Sequence, residues 1–77
     1  MKKLFIDLAS IEKDYHMIDS SFMNGERWRL YEHDFYGEEV RCIAVNLTKG
    51  VYTYTWETLT YTIENLDEEY ELFKLNE

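Results

Sequence analysis

The dipeptide Asn24-Gly25 constrains the fold of this chain more than any other local feature. It separates two short segments rich in apolar and aromatic residues, residues 22–23 and residues 28–31. Asn and Gly both tolerate positive φ, and Asn-Gly at the centre of a two-residue turn is the strongest short-range signal for a β-hairpin. The sequence therefore predicts that the two segments pair as antiparallel strands.

Two further strands are predicted after this hairpin. Residues 35–39 have the composition of a turn, and residues 40–47 carry apolar side chains in both alternating sets, as is typical of a well-buried central strand. The tripeptide Thr48-Lys49-Gly50 predicts a short turn, and residues 51–55 then alternate strictly in the manner of a β-strand. We expect four antiparallel strands in meander order.

The segment before the hairpin has the period of a helix, which predicts a helix over about residues 3–14. Its apolar residues recur at steps of four and three: Leu4, Leu8, Ile11, Tyr15 and Ile18. Phe5-Ile6 also suits a short strand, so a strand remains the alternative for this segment.

Residues 56–75 are the most periodic part of the chain, and their apolar residues all face one way on an α-helix. These residues are Trp56, Leu59, Ile63, Leu66, Tyr70 and Phe73. Thr55 is the predicted N-cap. The alternative is a fifth strand that continues the threonine alternation through Thr58, Thr60 and Thr62. We favour the helix because a strand does not explain why the stripe continues through Phe73.

The predicted fold class is α+β: a small antiparallel meander of about four strands packed against a C-terminal amphipathic helix, with a short N-terminal helix. No proline, linker or repeat divides the 77 residues, so a single domain over residues 1–77 is expected. The single Cys42 cannot form an internal disulfide, which predicts a reducing, cytoplasmic location. No stretch approaches the roughly 20 apolar residues of a membrane helix.

Acidic residues outnumber basic residues by 16 to 8, which gives a net charge of −8 and disfavours direct binding to nucleic acid or to anionic membranes. Residues 51–77 carry most of the imbalance, with Lys74 as their single base. On the predicted helix, four carboxylates fall within a sector of about 60° opposite the apolar stripe. The predicted acidic ridge consists of Glu57, Glu64, Glu68 and Glu71, and Asp67 is added to the partner-binding set.

Two interpretations of this ridge remain open. No lysine at i,i+4 spacing neutralises it, whereas an ordinary exposed helix mixes both signs of charge. The ridge is either a solvated face that keeps the chain soluble, or a surface that occupies the nucleic-acid-binding groove of another protein.

A second acidic segment lies at residues 32–39. It contains Glu32, His33, Asp34, Phe35, Tyr36, Glu38 and Glu39. The order of its carboxylates is not that of a calcium loop, and one histidine is too few for zinc, so no metal is expected. We interpret the segment as an extension of the acidic surface with two exposed aromatic anchors. The alternative is a solvated turn.

Catalytic signals are weak in this sequence. It has no nucleophile-elbow motif and no phosphate-cradling loop, and Cys42 lies in an apolar strand, where a thiol is usually inert. No enzymatic activity and no cofactor are therefore expected. Most of the seven tyrosines and two tryptophans are interpreted as core, including the aromatic face of Tyr52, Tyr54 and Trp56 that the helix would cover.

In its short length, acidity, tyrosine content and scarcity of cysteine, the whole chain resembles small accessory proteins of bacteriophages and mobile elements, including anti-CRISPR and other anti-defence inhibitors. The resemblance lies in the overall profile and includes no motif, so no family residue is transferred. It implies a non-catalytic inhibitor in the bacterial cytoplasm. Such an inhibitor would block a protein with a basic nucleic-acid-binding groove, such as a CRISPR effector or another defence nuclease, by DNA mimicry. The alternative is a small structural or regulatory module, antitoxin-like or homodimeric, whose acidic face serves solubility.

Overall fold

The computed structural model describes residues 7–34, 40–56 and 71–75. One antiparallel sheet of five strands and one short helix make up these residues. The elements are α1 (Leu8–Asp14), β1 (Tyr15–Met23), β2 (Glu26–His33), β3 (Cys42–Asn46), β4 (Val51–Thr55) and β5 (Phe73–Lys74). The strands lie in the order β1-β2-β3-β4-β5, so the predicted four-stranded meander is confirmed and a fifth strand extends it.

The turns predicted at Asn24-Gly25 and at residues 48–50 are confirmed, whereas the turn predicted at residues 35–39 lies outside the described residues. Asn24 and Gly25 have φ values of 53° and 79°, and Met23 pairs with Glu26 across the turn. Between β3 and β4, Gly50 has a φ of 69° and donates its N–H to the carbonyl of Asn46 at 2.9 Å. These backbone angles are the left-handed ones that Asn and Gly adopt at the lowest steric cost.

The central strand is β3, and all five of its residues are buried. Successive side chains of a strand point to opposite faces, so burial of the whole strand means that both faces of the sheet are covered there. Cys42 is among these buried residues, as the sequence predicts. The turn-forming Asn46 is also fully buried, and its Oδ1 accepts a hydrogen bond from the backbone N–H of Lys49.

Two hydrophobic clusters lie on opposite faces of the sheet. The face toward α1, called here the α1 face, carries Ile11, Tyr15, Tyr31, Val40, Ile43, Val45 and Tyr52, with Leu8, Leu47, Tyr54, Phe73 and Leu75 packed against them. The opposite face carries Trp28, Leu30 and Ala44, with Met23 and Leu72 beside them. Helix α1 is thus a cover of the α1 face, a role that the sequence analysis assigns to the C-terminal segment.

Helix α1 confirms the described part of the predicted N-terminal helix. Asp7 is its N-cap and accepts a hydrogen bond from the backbone N–H of Ser10 at 2.8 Å, which also lowers the pKa of this carboxyl group. The helix ends at Asp14, and Tyr15 is already extended. The helical stripe therefore stops before Tyr15 and Ile18, because both residues belong to β1, which pairs with β2. Residues 1–6 lie outside the described residues.

The predicted C-terminal helix is wrong at its end. Phe73 and Lys74 form β5 and pair with Tyr52 and Val51 of β4, and Leu75 donates its N–H to the carbonyl of Gly50. The reason is tertiary: the edge of β4 offers backbone partners, and the ring of Phe73 packs against the rings of Tyr52 and Tyr54 with centroids 5.7 and 5.4 Å away.

The rest of the predicted helix lies outside the described residues, as does the alternative strand through Thr58, Thr60 and Thr62. Trp56, which the sequence analysis places in the core, is 59% exposed. Within the described ranges, no helix has the length and apolar character needed to cross a membrane.

Candidate protein-binding surface on the hairpin

Three of the sequence-predicted binding residues lie in the described part of the chain: Glu32, Asp34 and Glu71. Glu71 is exposed and lies two residues before β5, outside any helix, so it does not lie on a helix as predicted. The others lie outside the described residues: Phe35, Tyr36, Glu38, Glu39, Glu57, Glu64, Asp67 and Glu68.

Asp34 and Glu32 are built into the end of the sheet. The Oδ1 atom of Asp34 lies 2.8 Å from Nδ1 of His16, and its backbone N–H donates to the carbonyl of Asp14. Glu32 is half-buried in β2, where its neighbours across the sheet are His16 and Cys42. Among the described residues, no group of three or more His, Cys, Asp and Glu side chains is placed to hold a metal ion.

The described surface that sequence reasoning missed lies on β1. Met17, Ile18 and Phe22 are 52%, 47% and 68% exposed, and all three belong to this one strand. In the described sheet β1 is an edge strand with β2 as its single neighbour. Large apolar side chains that are exposed together, rather than singly, mark interaction sites.

A bulge in β1 sets which side chains share a face. Met17 is opposite Tyr31, but Asp19 is opposite Leu30, so Ile18 is an extra residue in the ladder. An extra residue reverses the alternation of the side chains that follow it. As a result Met17, Ser20 and Phe22 all belong to the α1 face.

Two arginines of β2 border the same surface. Phe22 lies opposite Arg27 and Ser20 lies opposite Arg29. A groove of about 310 Å³ is formed there by Met17, Ser20, Ser21, Phe22, Arg27 and Arg29, which we call the hairpin groove.

The two arginines differ in their partners. Nη1 of Arg29 lies 3.3 Å from the hydroxyl of Tyr31 and 3.6 Å from Oε2 of Glu12, and the hydrogen bond with Tyr31 raises the pKa of Arg29. Arg27 uses its backbone groups to bind Thr48 and Leu47. Its guanidinium has no ion-pair partner within residues 7–34, 40–56 and 71–75. Of the two arginines, Arg29 is thus paired with a carboxylate, and Arg27 is not paired with one in the part of the chain that the structure describes.

Charge is divided between the two faces of the hairpin. By register, the α1 face of β1 and β2 carries Arg27, Arg29 and His33 and no carboxylate from either strand. The three acids of these strands belong to the opposite face: Asp19, Glu26 and Glu32. One face of the hairpin in an acidic chain is thus locally basic.

A second groove of about 480 Å³ lies between the start of α1, the β3–β4 turn and β5, with Lys49 and Lys74 on its rim. Asp7 and Leu75, which line it, are the first and last described residues.

Some of the residue pairs that line the hairpin groove can be predicted from the sequence. Once Asn24-Gly25 fixes the turn, counting back from it places Phe22 opposite Arg27 and Ser20 opposite Arg29. The position of Met17 is not readable in this way, because the bulge at Ile18 has no local sequence signal.

No protein-family model, curated protein or solved structure matches this chain. The architecture that the described residues define is a five-stranded antiparallel sheet with one short helix and an exposed apolar edge strand.

Proposed function

We propose that this protein is a non-catalytic protein-binding module and that the β1–β2 hairpin provides its binding surface. The observation that carries the proposal is the exposure of Met17, Ile18 and Phe22 on one edge strand. Natural proteins usually protect edge strands with lysine, proline, inward-pointing charge or a β-bulge. Strand β1 has no lysine and no proline.

Burial of the apolar side chains of β1 against a partner would stabilise the complex. Complete burial of a side chain the size of Met or Phe contributes about 1.5–3 kcal/mol, and two such residues near the centre of a contact are typical hot-spot anchors. The bulge at Ile18 does not hide the strand, since the side chains on both sides of the bulge remain exposed.

The proposal is tested by the double variant Met17→Thr with Phe22→Thr. Threonine keeps the strand propensity of both positions and removes the apolar side chains, so the free energy of unfolding should change by less than about 1 kcal/mol. Capture of the natural partner from the host, measured by quantitative mass spectrometry, should fall at least about tenfold. The matched control is Trp56→Thr, which removes an exposed aromatic residue outside the hairpin. Equal capture by the double variant and the natural chain would refute the proposal.

A second proposal rests on charge. We also propose that the chain inhibits a nucleic-acid-binding bacterial protein by presenting an acidic surface that imitates nucleic acid. Its support is the sequence of residues 51–77, which holds Lys74 as its single base beside seven acids. Association through exposed charge is screened over about 10 Å at 0.1 M salt, so such a complex weakens steeply as salt rises. A complex held by Met17 and Phe22 is much less sensitive to salt.

A further inference from the structure

Building on the proposed hairpin surface, we propose that the partner segment bound there is an extended, acidic one. In this arrangement the segment runs along the outer edge of β1, places an apolar side chain between Met17 and Phe22, and places a carboxylate at Arg27.

The edge geometry favours an extended segment. A strand beside β1 lies about 4.8 Å from it, and every second side chain of that strand falls on the same face. Residues of the incoming strand that share the α1 face therefore lie next to Ser20 and Phe22. Addition of a strand to an exposed edge supplies affinity from main-chain hydrogen bonds and specificity from alternate side chains.

Charge complementarity selects an acidic segment. The α1 face of the hairpin carries two arginines and no carboxylate from β1 or β2, while Asp19, Glu26 and Glu32 lie on the other face. Among the described residues, Glu12 of α1 also contacts this face, and its Oε2 is already engaged by Tyr31 and Arg29. No carboxylate of the described ranges pairs with the guanidinium of Arg27, which can therefore bind an incoming carboxylate in a charge-assisted contact of the stronger type.

Other occupants fit this surface less well. Nucleic acid is disfavoured because the net charge of −8 repels a polyanion over its whole length. A second copy carries the same net charge, and its own β1 contributes Asp19 as its single carboxylate. A short acidic segment meets only the local basic face, because charges more than a Debye length away are screened.

The test uses two synthetic peptides with the 77-residue chain at about 0.15 M salt. One is a capped octapeptide in which Glu-Glu-Val-Val is repeated twice, so that Glu and Val alternate along each face of the extended peptide, and the other has Lys in place of every Glu; they are called the Glu–Val and Lys–Val peptides. The Glu–Val peptide should bind at least about tenfold more tightly, as measured by fluorescence anisotropy with a labelled peptide. Binding should also slow hydrogen exchange at backbone amides of β1.

Variants separate this inference from the proposed function. Arg27→Gln should weaken binding of the Glu–Val peptide about tenfold, Arg27→Lys should retain part of the affinity, and Lys74→Gln should have no effect. Equal binding of the two peptides, or no effect of Arg27→Gln, would overturn the acidic-segment inference. The proposed function would survive those results if the Met17→Thr, Phe22→Thr variant still lost partner capture.

Two further outcomes would also overturn the inference. If β1 amides gain no protection on binding, the segment does not pair along this edge. If sedimentation shows a dimer that Phe22→Thr dissociates, the occupant of the groove is a second copy of the chain.

Discussion

The hydroxyl group of Tyr31 connects α1 to the sheet. It donates to Oε2 of Glu12 at 2.8 Å and accepts a hydrogen bond from Nη1 of Arg29 at 3.3 Å. Burial is the main cause that raises the pKa of Tyr31 above its ordinary value of 10.0. This hydroxyl joins residues of the helix and of β2 that no local sequence pattern connects.

The raised pKa of Tyr31 predicts a loss of stability at alkaline pH. A group whose pKa is raised in the folded state contributes stability that is complete below its unfolded pKa, here near 10.0, and that is lost as pH rises through the folded value. We expect Tyr31→Phe to lower the free energy of unfolding at pH 7 by about 1–2 kcal/mol, because Glu12 and Arg29 lose a partner.

Urea unfolding at pH 7 and at several values above pH 10 checks both parts of this prediction. The Tyr31→Phe variant should lose less stability above pH 10 than the natural chain does. Tyr54→Phe removes another tyrosine hydroxyl from the same face and serves as the control. An unchanged alkaline profile in Tyr31→Phe would mean that another group causes the loss.

At the scale of secondary-structure elements, the two-residue turn sets the register of the hairpin groove. Gly25 has a φ of 79°, and a Cβ atom added there would have no other atom within 4 Å. Any cost of Gly25→Ala is therefore backbone strain rather than a clash. We expect a loss of about 1 kcal/mol in the free energy of unfolding, measured by urea titration.

The comparison variant for Gly25→Ala is Asn24→Gly, which replaces a residue at a φ of 53° by one that adopts this angle freely. It should change the free energy of unfolding by less than about 0.5 kcal/mol. If the two substitutions cost the same, positive φ is not what makes the turn sensitive.

Sequence patterns predict the elements that have local signals and fail for those decided by tertiary contacts. The hairpin, β3, β4 and the described part of α1 follow from turn residues and periodicity. In the C-terminal segment, Leu72 packs on one face of the sheet while Phe73 and Leu75 pack on the other. That alternation is a strand pattern, but it is too short to outweigh the helical spacing that precedes it, and the available edge of β4 decides the outcome.

The candidate site was predictable to a similar degree. The pairing of Phe22 with Arg27 follows from the turn, whereas the bulge at Ile18 and the exposure of β1 depend on how the whole sheet is covered. The predicted acidic ridge assumed a continuous helix up to Phe73, but Phe73 belongs to strand β5, so the helix does not extend that far.

At the scale of the whole molecule, the placement of charge separates the two proposed functions. If acidic mimicry is correct, replacing Glu57, Glu64, Glu68 and Glu71 together by Gln should weaken partner binding at least about a hundredfold, because each well-formed charged contact contributes about 1.5–3 kcal/mol. Stability should not fall, since like-charge repulsion is relieved. Isothermal titration calorimetry with the captured partner measures the affinity.

The matched control for these variants is set by the structure. Asp7 caps α1 and Glu12 binds Tyr31, so neutralising them would damage the fold as well as the charge. Asp14 and Asp19 are exposed, and the pair Asp14→Asn with Asp19→Asn can be compared with Glu64→Gln and Glu68→Gln. Equal effects of the two pairs would leave the acidic residues of the last third with no special role in binding.

The order of the strands has a consequence for how the chain folds. Neighbours from β1 to β4 are joined through residues 24–25, 34–41 and 47–50, whereas β5 reaches β4 across residues 56–72. Closing a longer loop costs more chain entropy, and contacts that are local in sequence form fastest. We expect the β1–β2 hairpin to form first and β5 to pair with β4 last. The pairing of β5 should then also open most easily, so the amide of Leu75, which is bonded to the carbonyl of Gly50, should be among the first to exchange with solvent.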